Sequence, residues 1–226
     1  MELKLYYHPL SSFCHKALIA LYENNTPFEP IMVDLSDEKS SAALRTLWPI
    51  AKFPVLRDDA RDCTVAEATV IIDYLDTHYR GVTRFIPDDA DSAWRTRMWD
   101  RFYDNYVHIQ MQKIVGDNLR PVAARDAVGV EQAKAMLVKS YAMIDKEMSG
   151  KTWAMGDAFG QVDCAASPAL FYANTALPFD RAHCNLAAYF DRLMARPSYV
   201  RVLKEAEPFF KYFPMDRKPR IAMEDA

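Results

Sequence analysis

Hydrophobic and polar positions alternate from the first residues: Leu3, Leu5 and Tyr7 fall on one side, Lys4 and Tyr6 on the other, the period of a strand. Pro9 has no N–H and stops the ladder. Ser11 and Ser12 then supply cap-type side chains ahead of an apolar run in which Cys14, Ala17, Leu18 and Leu21 recur at helical spacing. Beyond the turn cluster Asn24-Asn25-Thr26-Pro27, residues 28–34 read as a second strand. Strands joined by a helix imply a parallel pair with a right-handed crossover. A short irregular helix is expected from Ser36 to Leu47. Residues 54–57 and 63–65 then flank the polar run Arg57–Asp62 as a β-hairpin, and a helix is predicted over 65–75, with Ala68, Ile71, Ile72 and Leu75 on its apolar face.

Gly81 and Pro87 interrupt the pattern, and everything after residue 90 is helical by period. One long helix is predicted over 93–115, capped by Asp91-Ser92 and carrying Trp94, Met98, Phe102, Tyr106, Ile109 and Gln110. Asn118-Leu119-Arg120-Pro121 ends it. A second long helix starts at Arg125 or Val130 and reaches Met148, and further helices are expected over 186–195 and 199–205. Phe209-Phe210-Lys211-Tyr212-Phe213 is an aromatic cluster expected to fold back on the chain. The fold class is therefore a small α/β domain over 1–79, a linker over 80–91, an all-α domain over 92–214 and a flexible charged tail over 215–226.

Composition narrows the function classes. The chain has 226 residues, half of them hydrophobic and 26% charged, enough to bury a sizeable core. A net charge of −3 gives no general pull toward nucleic acid or anionic membrane, and no apolar run reaches the length of a bilayer span. Met1 leads directly into the first strand with no signal-peptide pattern, so a cytoplasmic protein is expected. The four cysteines, Cys14, Cys63, Cys164 and Cys184, show no CxxC spacing and read as reduced thiols. The five histidines show no HExxH pattern, and no metal is expected.

Four segments carry a resemblance. Pro9-Leu10-Ser11-Ser12-Phe13-Cys14-His15-Lys16-Ala17-Leu18 reads on its own as a capped helix; it also resembles the active-site entry of the serine-type glutathione S-transferases, of the bacterial theta, phi and zeta-like kind. Lys52-Phe53-Pro54-Val55-Leu56 resembles that family's lysine–apolar–cis-proline turn, and Glu67–Leu75 its Glu-Ser-x-Ala-Ile-x-x-Tyr-Leu helix. Gly156–Ala166 resembles its Gly-Asp-x-Phe-Ser/Thr-x-Ala-Asp segment, with Gly160 in place of the capping hydroxyl and Asp163 kept, a folding element rather than chemistry.

The resemblance implies a thioredoxin-like domain with a mixed four-stranded sheet, a helical-bundle domain, glutathione as co-substrate and a homodimer. It implies that Ser11 donates to the glutathione sulfur, with Tyr7 and Ser12 as alternatives, and that Cys14 at this offset is a lesser candidate for a mixed disulfide. It places glutathione on Phe53, Pro54, Glu67 and Ala68, with Lys39 and Lys52 toward the glycyl carboxylate; without the family, Glu67 reads as a favourable first-turn acid and the lysines as solvated surface. A small hydrophobic electrophile is expected against Tyr103, Tyr106, Val107, Gln110 and Met111, under a lid of Phe209 and Phe210. The sequence departs from the family at Ala68, where the serine that binds the γ-glutamyl carboxylate is usual; weaker glutathione binding, by up to about 3 kcal/mol, follows unless a neighbour substitutes. The function implied is conjugation of glutathione to electrophiles in detoxification. The alternatives are a non-catalytic scaffold for a protein partner and a glutathione-dependent isomerase or dehalogenase.

Overall fold

The computed structural model describes residues 2–34 and 36–221. Strand β1 (Leu3–Tyr7) lies at the centre of a four-stranded sheet, order β2-β1-β3-β4, with β2 (Glu29–Met32), β3 (Val55–Asp58) and β4 (Cys63–Ala66). β1 pairs in parallel with β2 and antiparallel with β3, and β3 pairs antiparallel with β4. Helix α1 (Ser12–Glu23) connects β1 to β2, α2 (Glu38–Leu47) follows, and α3 (Ala68–His78) closes the first domain. This is the thioredoxin-like βαβ-α-ββα order. Strand β4 runs on through Ala66, so α3 begins three residues later than its apolar periodicity predicts.

α2 packs on one face of the sheet over a small cluster of Val33, Leu44 and Val55. α1 lies on the other face, and every residue from Cys14 to Leu21 is buried. It is not the one-sided helix its apolar positions suggest, because α7 (Gln161–Ala176) and α9 (Pro197–Ala206) of the second domain cover its outer side. One hydrophobic core runs through both domains, from Leu3 and Leu18 to Leu170 and Phe210.

The second domain contains α4 (Ala90–Phe102), a wide-turned π segment over Tyr103–His108, α5 (Ile109–Asp117), α6 (Ala127–Glu147), α7, α8 (Cys184–Met194) and α9. The cap of α4 is Asp89, which accepts from the Ser92 amide at 2.8 Å, rather than Asp91-Ser92. The π segment divides what periodicity reads as one long helix. In the linker, Phe85 and Ile86 are buried, and the Phe85 carbonyl accepts from the Gln161 amide at 3.0 Å. A Cβ at Gly160 would stand 3.1 Å from that carbonyl, so the missing cap hydroxyl leaves room for the linker. Asp163 accepts from Gly160 N (2.9 Å), Ala154 N (2.9 Å) and the Tyr189 hydroxyl (2.6 Å), a structural knot. Of the tail expected from Met215 onward, Pro219 is buried, Met215 and Ile221 pack against the core, and residues 222–226 lie outside the described residues.

Candidate active site

The turn from β1 into α1 sets the first group. Ser11 is the N-cap of α1, half-buried, its Oγ accepting from the Cys14 amide at a long 3.4 Å. A hydroxyl there stands at the positive end of a helix dipole. Ser12 is buried. Tyr7 packs against the main core; burial, with the Glu205 carboxylate and Cys14 nearby, pushes its phenol up. Cys14 is wholly buried, and burial pushes its thiol up to about 12 despite the Ser11 contact, which makes it a poor nucleophile. His15 is also buried; its Nε2 donates to the Pro9 carbonyl at 2.6 Å, which fixes the loop just before Ser11.

A cleft of about 250 Å³ lies between the sheet end and α4–α5. Lys52, Phe53, Pro54, Glu67 and Ala68 all line it. The Phe53–Pro54 peptide is cis. Neither backbone group of Phe53 bonds to a described residue, leaving an N–H and a C=O at the cleft for an extended peptide. Glu67 has φ +69°, a conformation that is costly for a residue with a side chain and is typical of functional positions. It is the N-cap of α3 without a side-chain cap bond, so the first-turn amides of α3 are open to an anion. Lys39, exposed on α2, does not line the cleft.

Behind Ala68 lies a buried cluster of charges. Lys16 of α1 is wholly buried, its Nζ 2.6 Å from Asp100 and 3.0 Å from Asp104, and donating to Thr69 Oγ1 at 2.7 Å. Thr69 Oγ1 in turn donates to Asp100 at 2.7 Å, so this hydroxyl is engaged in the interior and is no substitute for a serine at position 68. Arg101 pairs with Asp100 at 2.9 Å and also contacts Asp104 and Thr69. Burial alone would raise the Asp104 carboxyl; the charge of Lys16, with His108 and Arg101, outweighs it and holds the group well below the usual carboxylate range. Burial lowers the pKa of His108, 3.6 Å from Asp104, by more than that carboxylate raises it.

The second domain supplies other cleft residues than those expected. Tyr103, Val107 and Met111 are in the core, at most 3% exposed, and form no part of the cleft wall. Tyr106 is exposed outside the cleft, and Gln110 donates to the Asn105 carbonyl at 3.0 Å. Phe210 is buried against Phe171 and is no lid; Phe209 meets His8 edge-on at 5.7 Å, and His8 stacks on Phe53 at 6.0 Å. The wall is instead Arg101, Asp104, Asn105, Ile109 and Gln112, with Phe13 and Trp48 from the first domain. The available signal was the polar i, i+4 series Asp100, Asp104, His108, which has to face a partner when the helix is buried. Among the described residues no group of three or more His, Cys, Asp or Glu could hold a metal ion, and no helix is long and apolar enough to cross a membrane.

Comparison with known proteins agrees with this architecture. The family model for the glutathione S-transferase N-terminal domain matches residues 5–83, and that for the C-terminal domain matches residues 102–197. Glutathione S-transferase U7 of Arabidopsis thaliana is 29% identical over 172 residues, covering 76% of this chain and 70% of the relative. Glutathione S-transferase GstB of Escherichia coli is 25% identical over 190 residues, covering 83% and 91%. A glutathione S-transferase of Methylobacterium radiotolerans in complex with glutathione sulfonate superposes with a TM-score of 0.78 at 27% identity, over 89% of this chain and 94% of that one. One from Methylobacillus flagellatus with glutathione bound gives 0.81 at 23% identity, over 88% and 98%. With both halves matched in order around one cleft, the chain belongs to the glutathione S-transferase family.

Proposed function

We propose that the chain is a glutathione S-transferase that activates the thiol of glutathione for attack on small hydrophobic electrophiles. The observation that carries this reading is Phe53, whose free backbone N–H and C=O line the same cleft as Glu67 and the open amides of α3. An extended peptide with an anionic head fits that pairing. Ser11 Oγ donates to the sulfur, and the α1 dipole favours the thiolate over the thiol, whose free pKa is about 8.5. Lys52 meets the glycyl carboxylate. Phe13, Trp48 and Ile109 give the electrophile an apolar wall. The names of the curated relatives, and the glutathione sulfonate bound in the Methylobacterium radiotolerans neighbour, support transfer over a scaffold without catalysis or an isomerase or dehalogenase.

The same reading makes the protein cytoplasmic and a homodimer. Trp94 and Met98, one turn apart on α4, are each about half exposed, as is Val70 on α3; Arg97 and Asp73, 3.6 Å apart, bring those helices together. A second copy of the chain is the occupant assigned to this face.

Calorimetric titration with glutathione, followed by conjugation assays with aromatic halides and epoxides, tests the function. Micromolar to millimolar binding with turnover is expected. Absence of binding at several millimolar would sink the reading.

A further inference from the structure

The serine usual after Glu67 is replaced by Ala68, and its neighbour's hydroxyl is committed elsewhere: Thr69 Oγ1 accepts from Lys16 at 2.7 Å and donates to Asp100 at 2.7 Å. The cleft nevertheless has a cation beside Ala68. We propose that Arg101 binds the γ-glutamyl α-carboxylate of glutathione in this chain, taking over the work of the absent hydroxyl. The proposal deepens the transferase reading and rests on it.

The geometry favours Arg101 over its neighbours. Lys16 is 0% exposed and its ammonium is used up by Asp100, Asp104 and Thr69. Arg101 is 48% exposed and lines the cleft together with Glu67 and Ala68. Its Nε and Nη2 donate to Asp100 at 3.2 and 2.9 Å, and Nη2 also meets Asp104 and Thr69. Its Nη1 bonds to no described residue. The guanidinium is therefore held by Asp100 and Asp104 while Nη1 stays free to donate a charge-assisted hydrogen bond to a carboxylate oxygen.

Charge balance supports the same assignment. Lys16 and Arg101 already offset Asp100 and Asp104, so the cluster has no surplus charge of its own. The γ-glutamyl head is a zwitterion. Its carboxylate at Arg101 and the α3 amides, with its ammonium at the Glu67 carboxylate, sets each of its two charges against an opposite one. Asp104 is the less suitable partner for that ammonium, because Lys16 and Arg101 already occupy its oxygens.

The test is a titration of the full chain and of Arg101→Gln with two ligands: glutathione, and 4-aminobutanoyl-cysteinylglycine, which is glutathione without the γ-glutamyl α-carboxylate. Arg101→Gln should weaken glutathione binding about tenfold and the decarboxylated ligand by less than about twofold. Arg101→Lys keeps a charge against Asp100 and Asp104 and thus protects the fold; it should lose about threefold on glutathione alone. Equal losses on both ligands, or none on glutathione, would overturn the assignment, since an arginine that only steadies the cluster cannot distinguish them. Failure of the unaltered chain to bind glutathione would instead remove the transferase reading and this proposal with it.

Discussion

The ammonium of Lys16 lies 2.6 Å from the carboxylate of Asp100, and both side chains are completely buried. This pair joins α1, which carries Ser11, to α4 of the second domain, and through Thr69 it reaches the start of α3. The N-terminal ends of α1 and α3, where the proposed thiol and γ-glutamyl sites lie, are thus tied to one interior point. A buried pair adds less to stability than its Coulomb attraction suggests, because desolvation opposes it, but breaking it strands a charge.

Lys16→Met should therefore destabilise the protein by about 3–5 kcal/mol, leaving Asp100 and Asp104 facing Arg101 alone. Urea unfolding reads this directly. A loss below about 1 kcal/mol would mean that water screens the pair as it does at a surface.

His15 makes stability depend on pH. Burial lowers its pKa from 6.5 to about 4, more than the Pro9 carbonyl offsets. The folded state thus binds fewer protons than the unfolded state between these values, and its contribution, fully present above pH 6.5, is lost as pH falls toward 4. The loss amounts to about 3 kcal/mol. His15→Gln keeps a donor for Pro9 without the titration, so its urea midpoint should fall less steeply across that window; parallel curves would refute the account.

Ser11→Ala should raise the pKa of the bound glutathione thiol and reduce turnover by about 10²-fold, with glutathione affinity changed less than about threefold. Ultraviolet absorbance of the thiolate during a pH titration separates the two effects. Unchanged turnover would transfer the role to Ser12 or Tyr7.

The cysteines should differ in reactivity. Cys184 is exposed and Cys63 half-buried, while Cys14 and Cys164 are fully buried with their thiols pushed up by burial. A chromogenic disulfide reagent at pH 8 should modify Cys184 first, Cys63 next, and Cys14 and Cys164 only after unfolding. Rapid modification of Cys14 in the native protein would reopen the mixed-disulfide mechanism.

Trp94→Asp combined with Met98→Asp should convert a dimer to a monomer, since each buried apolar side chain contributes roughly 1.5–3 kcal/mol. Sedimentation equilibrium measures it, with self-association weakened at least about 10²-fold. A chain already monomeric at micromolar concentration would refute the homodimer.

The first domain and much of its site were legible in the sequence because they are local. Ser11 capping α1, the Phe53-Pro54 turn and Glu67 at the head of α3 are each set by a few adjacent residues, and their order along the chain brings them to one sheet end. The opposite wall was misread because burial there does not follow hydrophobicity. On α4–α5 the apolar Trp94, Met98, Tyr106 and Ile109 are exposed, whereas the polar Thr96, Asp100, Asp104 and His108 face inward. Within that helix the i, i+4 spacing of Asp100, Asp104 and His108 marks one face, but does not say that the face is buried. The lysine that neutralises Asp100 and Asp104 lies on α1, 88 positions before Asp104, and only packing of the two domains brings them together. The sequence by itself determined the strand–helix order, the Ser11 cap and the Phe53-Pro54 turn; the tertiary structure decided which face of α4 meets the cleft, because a buried Asp100 and Asp104 need cations, and those come from Lys16 of α1 and from Arg101.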